Sequence, residues 1–337
     1  LVSEDNFLLF TPMLPQVAAG TIETRHIVTP IRTLIRKTKF YEARIKNIDP
    51  HGKIVTLFGT QESRGMRIHY DFLIVALGSQ TNFFGMKDVE KNSYRMNTIN
   101  DAIILRNRII DLLEQAENET DPILRRSLLQ IVIVGGGFAG VETAGEINDF
   151  ISEASEYYPS ISYKDIQVTL VEATTEILNG FPNKLAAFAK EKLVERGIEV
   201  ILDAGVTSFD GQEITLKSQS DSNKVLVGNS SEHRGHYKLK EIKSIQSNTL
   251  IWTAGTTPID LIKESLFKTS KGRILVNEFL QISQFPDVFA IGDCSIFDPI
   301  LQMKKYPPTA QIAEAHAKTA ALNLKRLIDG EEMVRFD

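Results

Sequence analysis

Three glycines, Gly135, Gly137 and Gly140, stand between a short apolar run (QIVIV, 130–134) and a helical pattern that starts at about Val141. Few folds can use that arrangement. The apolar run reads as a buried strand, and the glycines read as a turn that leads at once into a helix. The first glycine permits the tight turn. The second lets the main chain approach a pyrophosphate, and the third lets helix and strand pack closely. A diphosphate placed there meets the free N–H groups and the positive dipole end of the helix. Gly135, Gly137, Phe138, Ala139 and Gly140 are therefore candidate contacts for a dinucleotide. The spacing alone is a weak signal; the strand–turn–helix setting gives it force.

The flanking segments continue the pattern. Gln167–Val171 reads as a strand ending in Glu172, residues 183–196 as a helix, and Ile198–Leu202 as a further strand. This βαβαβ alternation predicts an α/β fold with a parallel sheet and right-handed crossovers. Glu172 occupies the strand-end position where an acidic residue binds the adenosine ribose. It lies 37 positions after Gly135, against a usual offset of roughly 20. Residues 148–165 read as an insertion that accounts for the difference. A carboxylate accepts from a 2′-hydroxyl and repels a 2′-phosphate, so Glu172 favours NADH over NADPH.

Elsewhere, residues 70–77 (YDFLIVAL) form an apolar run that ends at Gly78, while TLIWTAG (249–255) and DVFAIGD (287–293) are two more strands that run into glycine. Residues 98–117 carry a helical pattern, with Thr98 and Asp101 placed to cap it. Residues 209–250 alternate in short runs and predict an antiparallel hairpin with a polar tip. An Ala-rich helix is expected to follow Pro307-Pro308, over 307–327. The basic segment 25–40 reads as a solvated helix face.

Composition narrows the chemistry. Of 337 residues, 42% are apolar and 24% charged, and the formal charge is −5. That balance argues against nucleic acid as a partner. Cys294 is the one cysteine, so an internal disulfide, a CxxC pair and a cysteine-based zinc site are all excluded within these residues. The six histidines show no metal-binding spacing, and no metal is expected. Redox chemistry must then be carried by a bound cofactor. No apolar run reaches the ~18 residues that a spanning helix needs. The abrupt start at Leu1 suggests that about one strand and one helix precede it.

These motifs, taken in order, resemble those of the flavoproteins of the pyridine-nucleotide-disulfide type. In that superfamily a strand ends in A-x-G before an inserted NADH domain, and a late strand ends in G-D. Here those are Ala76-Leu77-Gly78 and Gly292-Asp293. Within it the chain resembles the type II NADH dehydrogenases, which are single-subunit NADH:quinone oxidoreductases. The segments FTPMLP (10–15), GGGFAGVETAGE (135–146), IGDC (291–294) and PPTAQIA (307–313) carry the likeness.

The resemblance implies two Rossmann-like dinucleotide-binding domains, with the NADH domain (99–255) inserted into an FAD domain (1–98 and 256–337). It implies FAD contacts from Thr11, Pro12, Ala76, Gly78, Gly292, Asp293, Pro308, Thr309, Ala310 and Gln311, and NADH contacts that add Glu142, Ala254 and Gly255 to the fingerprint and Glu172. Glu142 and Gln311 become the catalytic candidates. Glu142 would organise the nicotinamide site or relay protons during quinone reduction, although a helix dipole also favours a first-turn glutamate for its own sake. Quinone, a membrane surface reached through a C-terminal segment beyond these residues, and a second copy of the chain are the implied partners. The implied location is peripheral, on the cytoplasmic side of the cell membrane. Two departures stand out. Ala315 replaces the second glutamine of the family's AQxAxQ pattern, and the FAD domain's own GxGxxG is not among these residues. A ferredoxin- or rubredoxin-type reductase and an apoptosis-factor-like NADH-binding flavoprotein are the rival readings. A sulfide:quinone reductase is disfavoured because it needs redox cysteines.

Overall fold

The computed structural model describes residues 1–58, 65–219, 225–228, 238–241, 243–301, 303, 306 and 309–337. The chain divides into two compact units. The first comprises Leu1–Leu8, Pro30–Gln80 and Thr256–Asp337; the second comprises Leu9–Thr29 and Thr81–Gly255. Leu9–Thr29 and Thr81–Thr98, grouped with the flanking ranges on sequence grounds, thus pack with the central unit.

In the first unit, β1 (Leu73–Val75) pairs in parallel with β6 (Phe285–Ala290). Both strands run into glycine-containing turns, which therefore emerge side by side. The helix α5 (Ala310–Asp329) is capped at its start by Thr309, whose Oγ1 accepts from the Ile312 N–H, and ends at left-handed Gly330. The core here gathers Val75, Ile274, Val276, Leu280, Phe289 and Ala320. The basic segment does not form the expected helix face. Pro30 leads into a single turn, Ile31–Leu34, and the residues beyond it are irregular until Tyr41.

The second unit is built on a seven-stranded sheet. Inside it β2 (Gln130–Val134) is flanked in parallel by β3 (Gln167–Val171) and β5 (Thr249–Trp252), with β4 (Glu199–Leu202) parallel to β3. Four of the five residues in β2 are buried, as befits a central parallel strand covered on both faces. The sheet is extended beyond β4 by antiparallel Val225–Gly228 and Lys238–Lys240. A separate antiparallel hairpin joins Ala204–Phe209 to Glu213–Ser218.

Helices cover the sheet. The helix α2 (Ile99–Asn118) starts with the expected capping box between Thr98 and Asp101 and buries Ala102, Leu105, Ile109, Leu112 and Leu113. Three- and four-residue spacing of that kind makes one apolar stripe. The fingerprint helix α3 (Phe138–Ala154) buries Gly140, Thr143, Ala144, Ile147 and Ile151 by the same logic. It begins three residues earlier than its sequence pattern suggests, because Gly137 serves as the N-cap. A short helix α1 (Leu14–Ala18) packs on α2 and α3, and α4 (Asn183–Glu195) follows the loop after Glu172.

Candidate cofactor sites

The fingerprint turn sits at the carboxyl end of β2, where ligands of doubly wound sheets bind. Each glycine has a distinct reason to be there. Gly135 has φ +111°, and a Cβ on it would stand 2.9 Å from the Ala254 main chain. A Cβ on Gly140 would stand only 1.7 Å from the Gly135 carbonyl oxygen. On Gly137 it would meet nothing within 4 Å. Gly135, Gly136 and Gly140 are buried, whereas Gly137, Phe138 and Ala139 are exposed. The first and third glycines are thus demanded by packing, and the second leaves an open cradle before the N-terminus of α3. That cradle is what a pyrophosphate needs, so the residues present fit a dinucleotide.

Two further segments meet this turn. Thr253, at the end of β5, donates from its hydroxyl to Val134 O at 2.8 Å and Gly135 O at 3.3 Å. This brings Ala254 against Gly135. Gly255, with φ +72°, follows beneath Phe84. From the other side comes Glu172. Its Oε2 accepts from the Gly136 N–H at 2.5 Å, while Oε1 accepts from the Thr174 N–H at 2.8 Å and the Thr174 hydroxyl at 2.9 Å. The two main-chain N–H groups fix the carboxylate, and the Thr174 hydroxyl shares its one proton between Oε1 and Glu176 O at 2.7 Å, so acceptor capacity remains for a ribose hydroxyl. The insertion at 148–165 therefore lengthens the connection without displacing the acid: the chain leaves α3 at Ala154, passes through the turns Ser155–Tyr157 and Tyr163–Asp165, and still enters β3 in register.

Glu142 lies in the first turns of α3 and is exposed. Partial burial by its neighbours and the like charge of Glu146, one turn on, push its carboxyl above the usual range. Glu146 accepts from the Gln16 side-chain amide at 3.2 Å, which ties α1 to α3. Thr11 and Pro12 open the turn that precedes α1, and both are exposed.

The first unit brings together the other set of expected residues. Ala76-Leu77-Gly78 leaves β1 beside Gly292-Asp293 leaving β6, and the Ile291 N–H donates to Val75 O across the pair. Gly78 has φ +64°, and a Cβ there would meet open space. The Ser79 hydroxyl donates to Asp293 Oδ2 at 3.0 Å, which aims the carboxylate and uses one of its acceptor positions. An aimed carboxylate at a glycine-lined strand end fits the polyhydroxyl chain of a flavin. Thr309, Ala310 and the exposed Gln311 form the start of α5. Pro308, the remaining expected contact, lies outside the described residues.

Sequence reasoning missed the residue that holds this turn. His316 is 4% exposed, and its Nδ1 accepts from the Gly292 N–H at 3.2 Å. The ring proton is then on Nε2, which is buried and has no hydrogen-bond partner among the described residues. The ring is wedged edge-on against Phe297 and Phe336. Burial pulls its pKa down to about 4. Cys294 is also buried; its thiol donates to Ile291 O at 3.2 Å, and burial pushes its pKa up. It is a packing thiol, not one placed for disulfide exchange.

The sequence matches the family described as pyridine nucleotide-disulphide oxidoreductase over residues 1–317. The chain belongs to that family. Among its members it is 32% identical to the external alternative NADH-ubiquinone oxidoreductase of Yarrowia lipolytica mitochondria, over 99% of this chain and 56% of that protein. It is also 32% identical to a probable NADH dehydrogenase of Dictyostelium discoideum, over 97% of this chain and 68% of the other. Among solved structures it resembles NDH2 from Plasmodium falciparum in complex with NADH, with a TM-score of 0.76 and 26% identity over 88% of this chain and 59% of that one. The chain spans about half the length of the first curated relatives it matches. The expected architecture of two dinucleotide-binding domains is that of this oxidoreductase family, and the likeness to type II NADH dehydrogenases holds across essentially the whole chain.

Proposed function

We propose that this chain carries the NADH-binding and flavin-contacting parts of an NADH:quinone oxidoreductase. The observation that carries the NADH half is Glu172, pinned by Gly136 and Thr174 beside an open, glycine-lined cradle. The quinone half is supported by the relatives, whose names specify ubiquinone. FAD, when bound, supplies the two-electron relay between the two substrates.

The chain's own groups have separable tasks in this reading. The N-terminus of α3 and the main chain at Gly137–Ala139 hold the pyrophosphate. Glu172 accepts from the ribose hydroxyl and excludes a 2′-phosphate by charge. Glu142, with its raised carboxyl pKa, holds or passes a proton near the nicotinamide. Asp293, aimed by Ser79, and the start of α5 through Gln311 orient the flavin. Domain labels follow from these roles: residues 99–255 serve NADH, and the flanking ranges serve FAD. No helix among the described residues is long and apolar enough to cross a membrane, and quinone is met at a membrane surface by peripheral contact, in an enzyme that works as a homodimer.

Anaerobic titration with NADH, followed by a soluble quinone, tests the reading. Bleaching of the flavin by NADH and its prompt return with quinone are expected. Bleaching that only a ferredoxin-type acceptor reverses would overturn the quinone assignment. Glu172→Gln is expected to narrow the preference for NADH over NADPH by about tenfold or more, since it removes a like-charge contact with the 2′-phosphate. Steady-state rates with both nucleotides check this; an unchanged ratio would remove Glu172 from the ribose site.

A further inference from the structure

The loop between β3 and α4 does more than carry Glu172. The Leu178 N–H donates to Gly136 O at 2.7 Å, while the Gly136 N–H donates to Glu172. Gly136 is therefore bonded to this loop on both sides of its own α-carbon. Ile177, 1% exposed, pins the loop into the core beneath. The Phe181 N–H then donates to Leu178 O at 3.1 Å, closing a turn that brings Phe181 to the first residue of α3. There its ring meets Phe138 edge-to-face, with centroids 4.6 Å apart and planes at 86°. Phe138 is the first residue of α3, directly after the open cradle at Gly137. Both rings remain partly exposed, at 45% and 37%. The pair thus packs ring against ring while part of each face stays open to solvent, directly after the open turn at Gly137.

We propose that Phe181 is a positioning residue for the dinucleotide: it holds Phe138 against the mouth of the cradle, so that the pair walls the pyrophosphate from water. This rests on the NADH-binding reading above. The wall lowers the local polarity around the diphosphate, which strengthens each N–H contact at the start of α3. An edge-to-face pair is the geometry that two rings adopt when they stabilise one another, so Phe138 alone is left free to turn away.

The test uses ADP-ribose and 5′-AMP, titrated calorimetrically into the full chain; neither reports on the flavin. Phe181→Ala is expected to weaken ADP-ribose about fivefold and AMP less than twofold, because AMP lacks the pyrophosphate. Phe181→Tyr, which keeps the ring, is expected to restore ADP-ribose binding. The balance between NADH and NADPH should not move, since Glu172 is untouched. Should Phe181→Ala fold poorly, Phe181→Leu keeps most of the volume without the ring and is expected to show the same split. Equal losses for the two ligands, unchanged ADP-ribose affinity, or tighter binding from an unblocked cradle would each overturn the proposal. Failure of the unaltered chain to bind ADP-ribose at all would overturn the NADH reading itself.

Discussion

Gly140→Ala is expected to destabilise the second unit by about 3 kcal/mol, at the upper end of overpacking costs, and to abolish dinucleotide binding. The reason is local. The added methyl would stand 1.7 Å from the Gly135 carbonyl oxygen, 2.8 Å from Thr253 Oγ1 and 2.9 Å from the Gly135 carbonyl carbon. Two of those three atoms are main chain, so no side chain can turn aside. Relief requires that α3 lift from β2, and the lift drags the N-terminal amides out of line with the cradle. Gly137→Ala makes the contrast. Its Cβ meets nothing within 4 Å, and its φ of −75° is open to any residue. It should keep its stability to within about 0.5 kcal/mol yet bind ADP-ribose more weakly, because the methyl occupies the pyrophosphate's space. Chemical denaturation paired with ADP-ribose titration separates the two variants. If both lose stability alike, the division of labour among the glycines is wrong.

The second large effect is acid sensitivity centred on His316. In the folded chain its pKa is about 4, whereas an unfolded histidine titrates near 6.5. Between those values the unfolded chain takes up a proton that the folded chain refuses. Stability therefore falls as pH drops from about 6.5 towards 4, by about 3 kcal/mol in all, and is unaffected by this group above 6.5. Below about 4 the imidazole becomes a donor at both nitrogens, and the Gly292 N–H loses its acceptor. The turn that aims Asp293 should loosen at the same point. Urea midpoints measured from pH 4 to 8, for the native chain and for His316→Asn, test this. The variant should show a shallower decline across the window; parallel curves would assign the acid sensitivity to other groups.

Much of this architecture can be read from the residues. The fingerprint glycines, the Thr98–Asp101 capping box and the strands at 130–134 and 167–171 follow from local rules of turn, cap and burial. Glu172 is legible despite its long offset, because a strand-end acid is positional: an insertion between helix and strand moves it in sequence and not in space. Other features are not local. His316 looks like one more residue in an Ala-rich helix, and only the fold brings it under the Gly292 amide. Phe181 sits in a loop with no pattern, and its meeting with Phe138 depends on the path that Ile177 and Leu178 impose. The basic stretch after Arg25 misleads for a related reason. Its charge pattern suits a helix, but Val28–Pro30 is a strand and only the single turn Ile31–Leu34 follows it before Tyr41.

The two main-chain bonds at Gly136 also bear on how this region can vary. Neither bond from the loop asks for a particular side chain at 173, 175 or 176, so those positions are open to exchange. The count of residues between Glu172 and Leu178 is another matter: one more or one fewer, and the Leu178 amide no longer reaches the Gly136 carbonyl while Glu172 holds the Gly136 N–H. Length, not composition, is the quantity this loop cannot change, and any attempt to graft a new ribose specificity here must keep the register between those two positions intact.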